Sequence, residues 1–221
     1  MIKVSVIIPS YNYGQFIGRA IRSALDQTYP KSDYEIIVVD DCSTDNSKDI
    51  ISAFGKKIKT IFLPKNVGLP AVRNIGIFNA RGDYVTFLDA DDCLNKNFIQ
   101  SAMLYYEFMP QLQLVAHDVT IIADNDEHLD KVMWDEYNIV GGAIYKLETM
   151  YYCGLFDETK GEDEDFDFLE RYTRETNGYI KFTDLPLYRY RWHENNKSKG
   201  REIWQRVNIQ NLPKNCTQSL N

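Results

Sequence analysis

The chain has 221 residues, 44% of them hydrophobic and 13% aromatic, enough to pack one α/β core and too apolar for a disordered segment. Its net charge of −7, from 25 Lys and Arg against 32 Asp and Glu, argues against a mainly electrostatic grip on nucleic acid or anionic lipid. Cys42, Cys93, Cys153 and Cys216 show no Cys-x-x-Cys spacing, so they read as reduced thiols of a cytosolic protein, neither a zinc site nor a disulfide framework.

The N-terminus enters a strand pattern at once, with residues 3–9 running up to Pro9, where a backbone donor is lost. This start is too short and wrongly flanked for a signal peptide, and no apolar run reaches membrane-spanning length. A helix pattern follows at about 15–27, with Phe16, Ile17, Ala20, Ile21, Ala24 and Leu25 on one face. Residues 34–39 are the next strand, and Ser43, Thr44 and Asp45 can cap a helix carrying Ile50, Ile51 and Phe54. Residues 58–63 are a third strand, and Pro70 suits the first turn of a helix running to about Asn79. Residues 83–88 are the fourth strand, followed by a helix around 96–108. Strands alternating with helices predict an α/β fold with a Rossmann-like, mostly parallel sheet flanked by helices.

After residue 110 the rhythm changes. Residues 113–122 read as a strand, 123–137 as a polar loop, and 141–145 as another strand before a short helix ending near Gly154. The acidic run 161–167 leads into a helix pattern through Leu169 and Tyr172, and residues 185–192 read as a strand. The tail 201–221, with Trp204, is weakly amphipathic. With no repeat, low-complexity tract or linker, residues 1–200 are expected to form a single domain, divided into halves 1–110 and 111–200.

In such sheets ligands bind beyond the C-terminal strand ends. Three polar clusters fall there, each straight after a strand: residues 9–12, Asp40 with Asp41, and residues 89–92. The last is the most informative. Val85, Thr86, Phe87 and Leu88 run directly into Asp89, Ala90, Asp91 and Asp92. Asp89 and Asp91 are two apart, so an extended backbone points them the same way. A hard cation such as Mg²⁺ or Mn²⁺ would relieve their repulsion; a polar turn capping the next helix is the alternative. Asp40 can accept from a base imino N–H or a ribose hydroxyl, or serve turn chemistry. Tyr11 offers a flat face for stacking on a base, or packs. Arg73 can meet a phosphate or lie on a solvated helix face.

Asp163 sits in the most acidic segment, where a helix dipole keeps a carboxylate ionised while Glu162, Glu164 and Asp165 oppose it. It reads as a general base or as an ordinary acidic helix start. Arg189, Arg191 and His193 alternate along a strand pattern, so they are expected to share one face as a small positive patch suited to a diphosphate. His117 and His128 have no such setting.

Together these stretches resemble the family 2 glycosyltransferases of GT-A fold. The matching pieces are residues 6–12, 38–45, 66–74, 82–92, 161–166 and 188–193, in the family's order across nearly the whole chain. Cys42 stands where the family more often has a small residue, and residues 110–160 match only loosely. The resemblance implies an inverting transfer from a nucleotide-sugar donor, UDP-linked by preference, with Mn²⁺ or Mg²⁺. It makes residues 1–110 the donor-binding half and 111–200 the acceptor and base half. By position, Pro9, Tyr11 and Asp40 would hold the base, and Asp89 the ribose or sugar. Asp91 would ligate the metal, with Asp89 and Asp92 beside it. Arg73 and His193 would lie near the sugar or diphosphate, Asp163 would be the base, and Glu162 would orient it. The acceptor would be a saccharide or lipid-linked saccharide in polysaccharide or glycoconjugate synthesis. That implies a cytoplasmic protein, with contact at the inner face of a membrane through a lipid-linked acceptor.

Two other readings compete. A nucleotidyltransferase making nucleotide sugars should carry a Gly-rich, basic loop after the first strand, but residues 9–14 hold one Gly and no base. A binding module that has lost catalysis should lack carboxylates, and here they are all present.

Overall fold

The computed structural model describes residues 2–123, 125–133, 139–176, 179–193 and 196; the tail 201–221, with Trp204 and Cys216, lies outside them. The first half keeps the expected rhythm: β1 (Val4–Ser10), α1 (Ile17–Leu25), β2 (Tyr34–Asp40), α2 (Ser47–Ser52), β3 (Lys59–Phe62), α3 (Leu69–Phe78) and β4 (Tyr84–Phe87). Every residue of β1 and β2 is buried, as expected of continuous apolar runs covered by helices on both sides. The second half adds β5 (Cys93–Leu94), α4 (Phe98–Phe108), β6 (Leu114–Ile122), β7 (His128–Val132), β8 (Ala143–Lys146), α5 (Leu147–Tyr152), α6 (Glu164–Glu175) and β9 (Ile180–Arg191).

Among the described residues nine strands join one sheet in the order β3-β2-β1-β4-β8-β6-β9-β5, with β7 paired to β6. From β3 to β4 the pairing is parallel. β8 then runs antiparallel to both β4 and β6, while β9 returns parallel to β6. β5 is a two-residue strand that the sequence does not announce, and two further elements depart from expectation. The stretch read as a polar loop contains β7, whose side chains are exposed or half-buried and so give no apolar signal. β9 begins at Ile180 and not at 185, and register shifts against His117 and Asp118 disturb its alternation.

Two local features shape the site. Pro9 lies inside β1, not at its end. The carbonyl of Ile7 accepts from Leu88 on the β4 side, whereas that of Ser10 accepts from Asp41 on the β2 side. Alternation therefore turns Pro9 towards β4, whose pairing with β1 has already stopped at Phe87, so its missing N–H is not needed. The second feature is Gly76. A Cβ there would come within 2.4 Å of Ile7 Cγ2, so glycine lets α3 lie tight on β1 and carries Arg73, one turn earlier, down to the sheet. Among the described residues no helix is long and apolar enough to cross a membrane.

Candidate functional site

The strand order reverses between β1 and β4, and there the two strands diverge into a crevice of about 650 Å³ at the carboxyl edge of the sheet. Pro9, Ser10 and Tyr11 form one lip and Asp89, Ala90 and Asp91 the other. Tyr11 keeps 44% of its surface exposed, which leaves a ring face open to a ligand. The loops that follow β1 and β2 are clasped together: Asn12, in a left-handed conformation, accepts the Thr44 N–H at 2.7 Å, and Asp45 accepts from Gly14 at 2.8 Å. Asp40 is fully buried. Its Oδ1 accepts from the Ser43 N–H at 3.0 Å, and its Oδ2 has no partner among the described residues. Asp41 accepts from the Val67 and Gly68 N–H groups at 2.7 and 3.0 Å and so holds the loop before α3 against the crevice.

Arg73 is the hub of the deep wall. It is 1% exposed, and the rings of Phe87 and Phe156 stand 5.8 and 5.2 Å from its guanidinium carbon. Its Nη1 donates to Glu164 at 3.0 Å and to Asp165, and its Nη2 reaches Asp89 at 3.4 Å. A carboxylate from the β4 turn and two from α6 thus share one guanidinium. Burial drives the Asp89 carboxyl up to about 6; Arg73 opposes the shift, while Asp91 and Asp165 add to it. Glu164 is raised too, mainly by burial and by Asp165, again against Arg73.

The α6 carboxylates at the site are Glu164 and Asp165, two residues beyond the expected pair. Asp163 caps the helix, is exposed, and is not among the residues lining the crevice; the Glu162 side chain lies outside the described residues. The cause is helical phase. Phe168, Leu169 and Tyr172 are the buried face of α6, and Glu164 and Asp165 stand four residues before the first two. Asp163 shares its face with the exposed Phe166 and with Asp167. That signal was present in the sequence.

On the other side of the crevice, His193 Nε2 lies 2.9 Å from Asp91 Oδ2, and Tyr13 also donates to Asp91. Burial, followed by the field of Asp91, Asp89 and Asp92, raises the Tyr13 hydroxyl, so it stays a donor. The His193 ring packs 4.6 Å from Phe16, and the Asn196 side chain accepts from the His193 N–H. Asp92 does not join this group. Tyr188 donates to its Oδ2 at 2.7 Å and the Arg191 N–H to its Oδ1 at 2.8 Å, which commits both oxygens to holding the turn. Nor do Arg189, Arg191 and His193 form the expected cationic patch. Arg189 is exposed, whereas Arg191 is buried behind the turn, donating to the carbonyls of Asp91 and Ala123 at 3.0 and 2.9 Å and to Asp126 at 2.5 Å. Among the described residues Cys42, Cys93 and Cys153 are free thiols.

Among the described residues no three His, Cys, Asp or Glu side chains gather to hold a metal by themselves. Asp91 and His193 nevertheless fit a Mg²⁺- or Mn²⁺-type ion, which commonly takes one or two protein ligands and completes its shell with phosphate oxygens and water.

A family model described as Glycosyl transferase family 2 matches residues 5–194. The poly(ribitol-phosphate) beta-N-acetylglucosaminyltransferase TarS of Staphylococcus aureus is 37% identical over 110 residues, covering 48% of this chain and 19% of TarS. A poly(ribitol-phosphate) beta-glucosyltransferase of Bacillus spizizenii is 38% identical over 123 residues, covering 54% of this chain and 18% of that protein. The chain thus spans less than a fifth of the length of either relative. The crystal structure of S. aureus TarS 1-349 in complex with UDP superposes with a TM-score of 0.75 at 26% identity, over 86% of this chain and 61% of that one. The same fragment with UDP-GlcNAc gives 0.75 at 25% identity, over 88% and 60%.

Proposed function

The chain belongs to glycosyl transferase family 2, and from that premise we propose that it moves a sugar from a uridine diphosphate donor to an acceptor hydroxyl, with inversion at the anomeric carbon. One observation carries the reading: a single buried arginine ties the carboxylate at the end of β4 to those at the start of α6, across a crevice at the point where strand order reverses. That is where a donor held from one wall and an acceptor activated from the other would meet.

Pro9 and Tyr11 would flank the base, and Asp40, buried behind the crevice lining with its Oδ2 unpartnered among the described residues, would accept an imino N–H. Asp89 would face the ribose or sugar. Asp91 and His193 would hold a divalent cation, which when bound supplies stabilisation of the negative charge on the departing diphosphate. Asp92 is left out of that set because both its oxygens are taken. Asp165, and not Asp163, would take the acceptor proton: it lines the crevice, and Arg73 holds one of its oxygens. A single displacement, with one base acting on the acceptor hydroxyl, gives inversion. The names of the two relatives support a polymer or saccharide hydroxyl as acceptor. A lipid-linked acceptor would bring this chain, as a cytoplasmic protein, to the inner face of a membrane without insertion.

The test is calorimetric titration of UDP with and without Mn²⁺, followed by transfer assays and proton NMR of the product's anomeric centre. Metal-dependent UDP binding and an inverted product are expected. A retained configuration rules out the mechanism, and absence of UDP binding rules out the donor.

A further inference from the structure

The deep wall of the crevice is unusually short of free positive charge. Arg73 is the one Arg or Lys among the described lining residues. It is fully buried, already shared by Asp89, Glu164 and Asp165, and covered by Phe87 and Phe156. A fourth carboxylate, Glu158, stands at the rim, where Asn74 donates to it at 3.2 Å. Any sugar lying between Asp89 and Asp165 is therefore enclosed by four carboxylates and one guanidinium that has no net charge left to offer.

Two polar atoms of this cluster lack partners among the described residues: Nε of Arg73, a donor, and Oε2 of Glu164, an acceptor on a side chain only 4% exposed. Buried polar atoms are nearly always paired, so such a combination calls for a ligand group. A hydroxyl accepts from one such atom and donates to the other. A carboxylate only accepts; it would leave Glu164 unsatisfied and add a like charge to a crowded, poorly solvated wall.

Resting on the donor reading above, we propose that the transferred sugar is neutral, a hexose or N-acetylhexosamine, and that Glu164 selects it by accepting from a sugar hydroxyl. Donors carrying a uronate are refused. Glu164 is thereby a specificity-determining residue, with Glu158 reinforcing the discrimination from the rim.

The experiment titrates the chain, loaded with Mn²⁺, with UDP, UDP-glucose, UDP-N-acetylglucosamine and UDP-glucuronate. UDP-glucuronate is expected to bind at least about tenfold more weakly than UDP itself, because the uronate brings a like charge into a partly desolvated site. Glu164→Gln keeps the side-chain volume and should bring UDP-glucuronate back several-fold towards UDP. Glu158→Gln, at the exposed rim where folding is not at stake, should move it the same way by less. UDP-glucuronate binding as tightly as UDP overturns the proposal, as does a penalty that neither substitution changes. Failure of UDP itself to bind is a different result and overturns the nucleotide-sugar reading on which the proposal rests.

Discussion

Residues 2–94 and residues 98–193 build the walls of one crevice by different means. In the first stretch each polar group ends or continues a strand: Ser10 ends β1, Asp41 follows β2, and Asp89 follows β4. The strands are parallel and in register, so their ends reach one rim by construction. In the second stretch nothing local brings Asp165 and His193 to that rim. Asp165 arrives through the phase of α6 and His193 through the end of a bulged strand, and long-range contacts with Arg73 and Asp91 fix both. UDP binding should therefore tolerate loss of the Asp165 carboxylate, whereas catalysis should not.

The sharpest way to break this contrast is Asp165→Asn. Transfer should fall by about 10²–10⁴-fold, the range typical of losing a general base, while the UDP dissociation constant stays within a few-fold. Asp163→Asn, on the exposed face of the same helix, should change turnover little; equal losses in both variants would merge the two faces of α6. Arg191→Ala removes a fully buried side chain, leaves the Asp91 carbonyl without that donor and takes one of two donors from the Ala123 carbonyl. Denaturant melts should show a loss of about 2–3 kcal/mol, from the unpaired buried carbonyl and the lost packing of the side chain, since Asp126 itself stays solvated.

The core beneath the second wall should also carry the acid sensitivity. His117 is buried, its Nδ1 lies 2.7 Å from Thr183 Oγ1, and its Nε2 has no partner among the described residues. Burial pushes its folded value down to about 4 from 6.5. Between those values the unfolded chain binds the extra proton, so stability is lost as pH falls from about 6.5 to 4, by at most about 3 kcal/mol. Thermal melts across that window should be shallower for His117→Gln. The smallest effect belongs to the first wall. Asp41→Ala frees the Val67 and Gly68 N–H groups, and donor KM should rise by about tenfold, the effect of losing about 1–2 kcal/mol of loop fixation, with kcat less changed.

The same contrast explains what could be read in advance. The four βα repeats were legible because burial on both sides writes continuous apolar strands and striped helices into the sequence. So were the three rim clusters, since each directly follows such a strand. β7 left no mark because its side chains are largely solvated, and the two residues of β5 are too few to show any period. Arg191 and Asp92 read as ligand groups because one-dimensional alternation shows neither that the turn at Asp91 and the loop at Ala123 and Asp126 cover Arg191 nor which carboxylate the backbone already occupies. The two-residue offset in the acidic run was avoidable: four carboxylates in a row are chemically equivalent until the apolar positions following them fix the helix phase.

Pro9 has one more consequence. Had that position carried an amide hydrogen, β1 and β4 would have had a means to zip further and seal their own gap. An imide nitrogen forbids it, so the cleft is open before any guest arrives, and admission requires no unzipping of the sheet. Entry and exit of the nucleotide should therefore leave amide exchange in β1 and β4 almost untouched, with protection gained only in the loops that follow them.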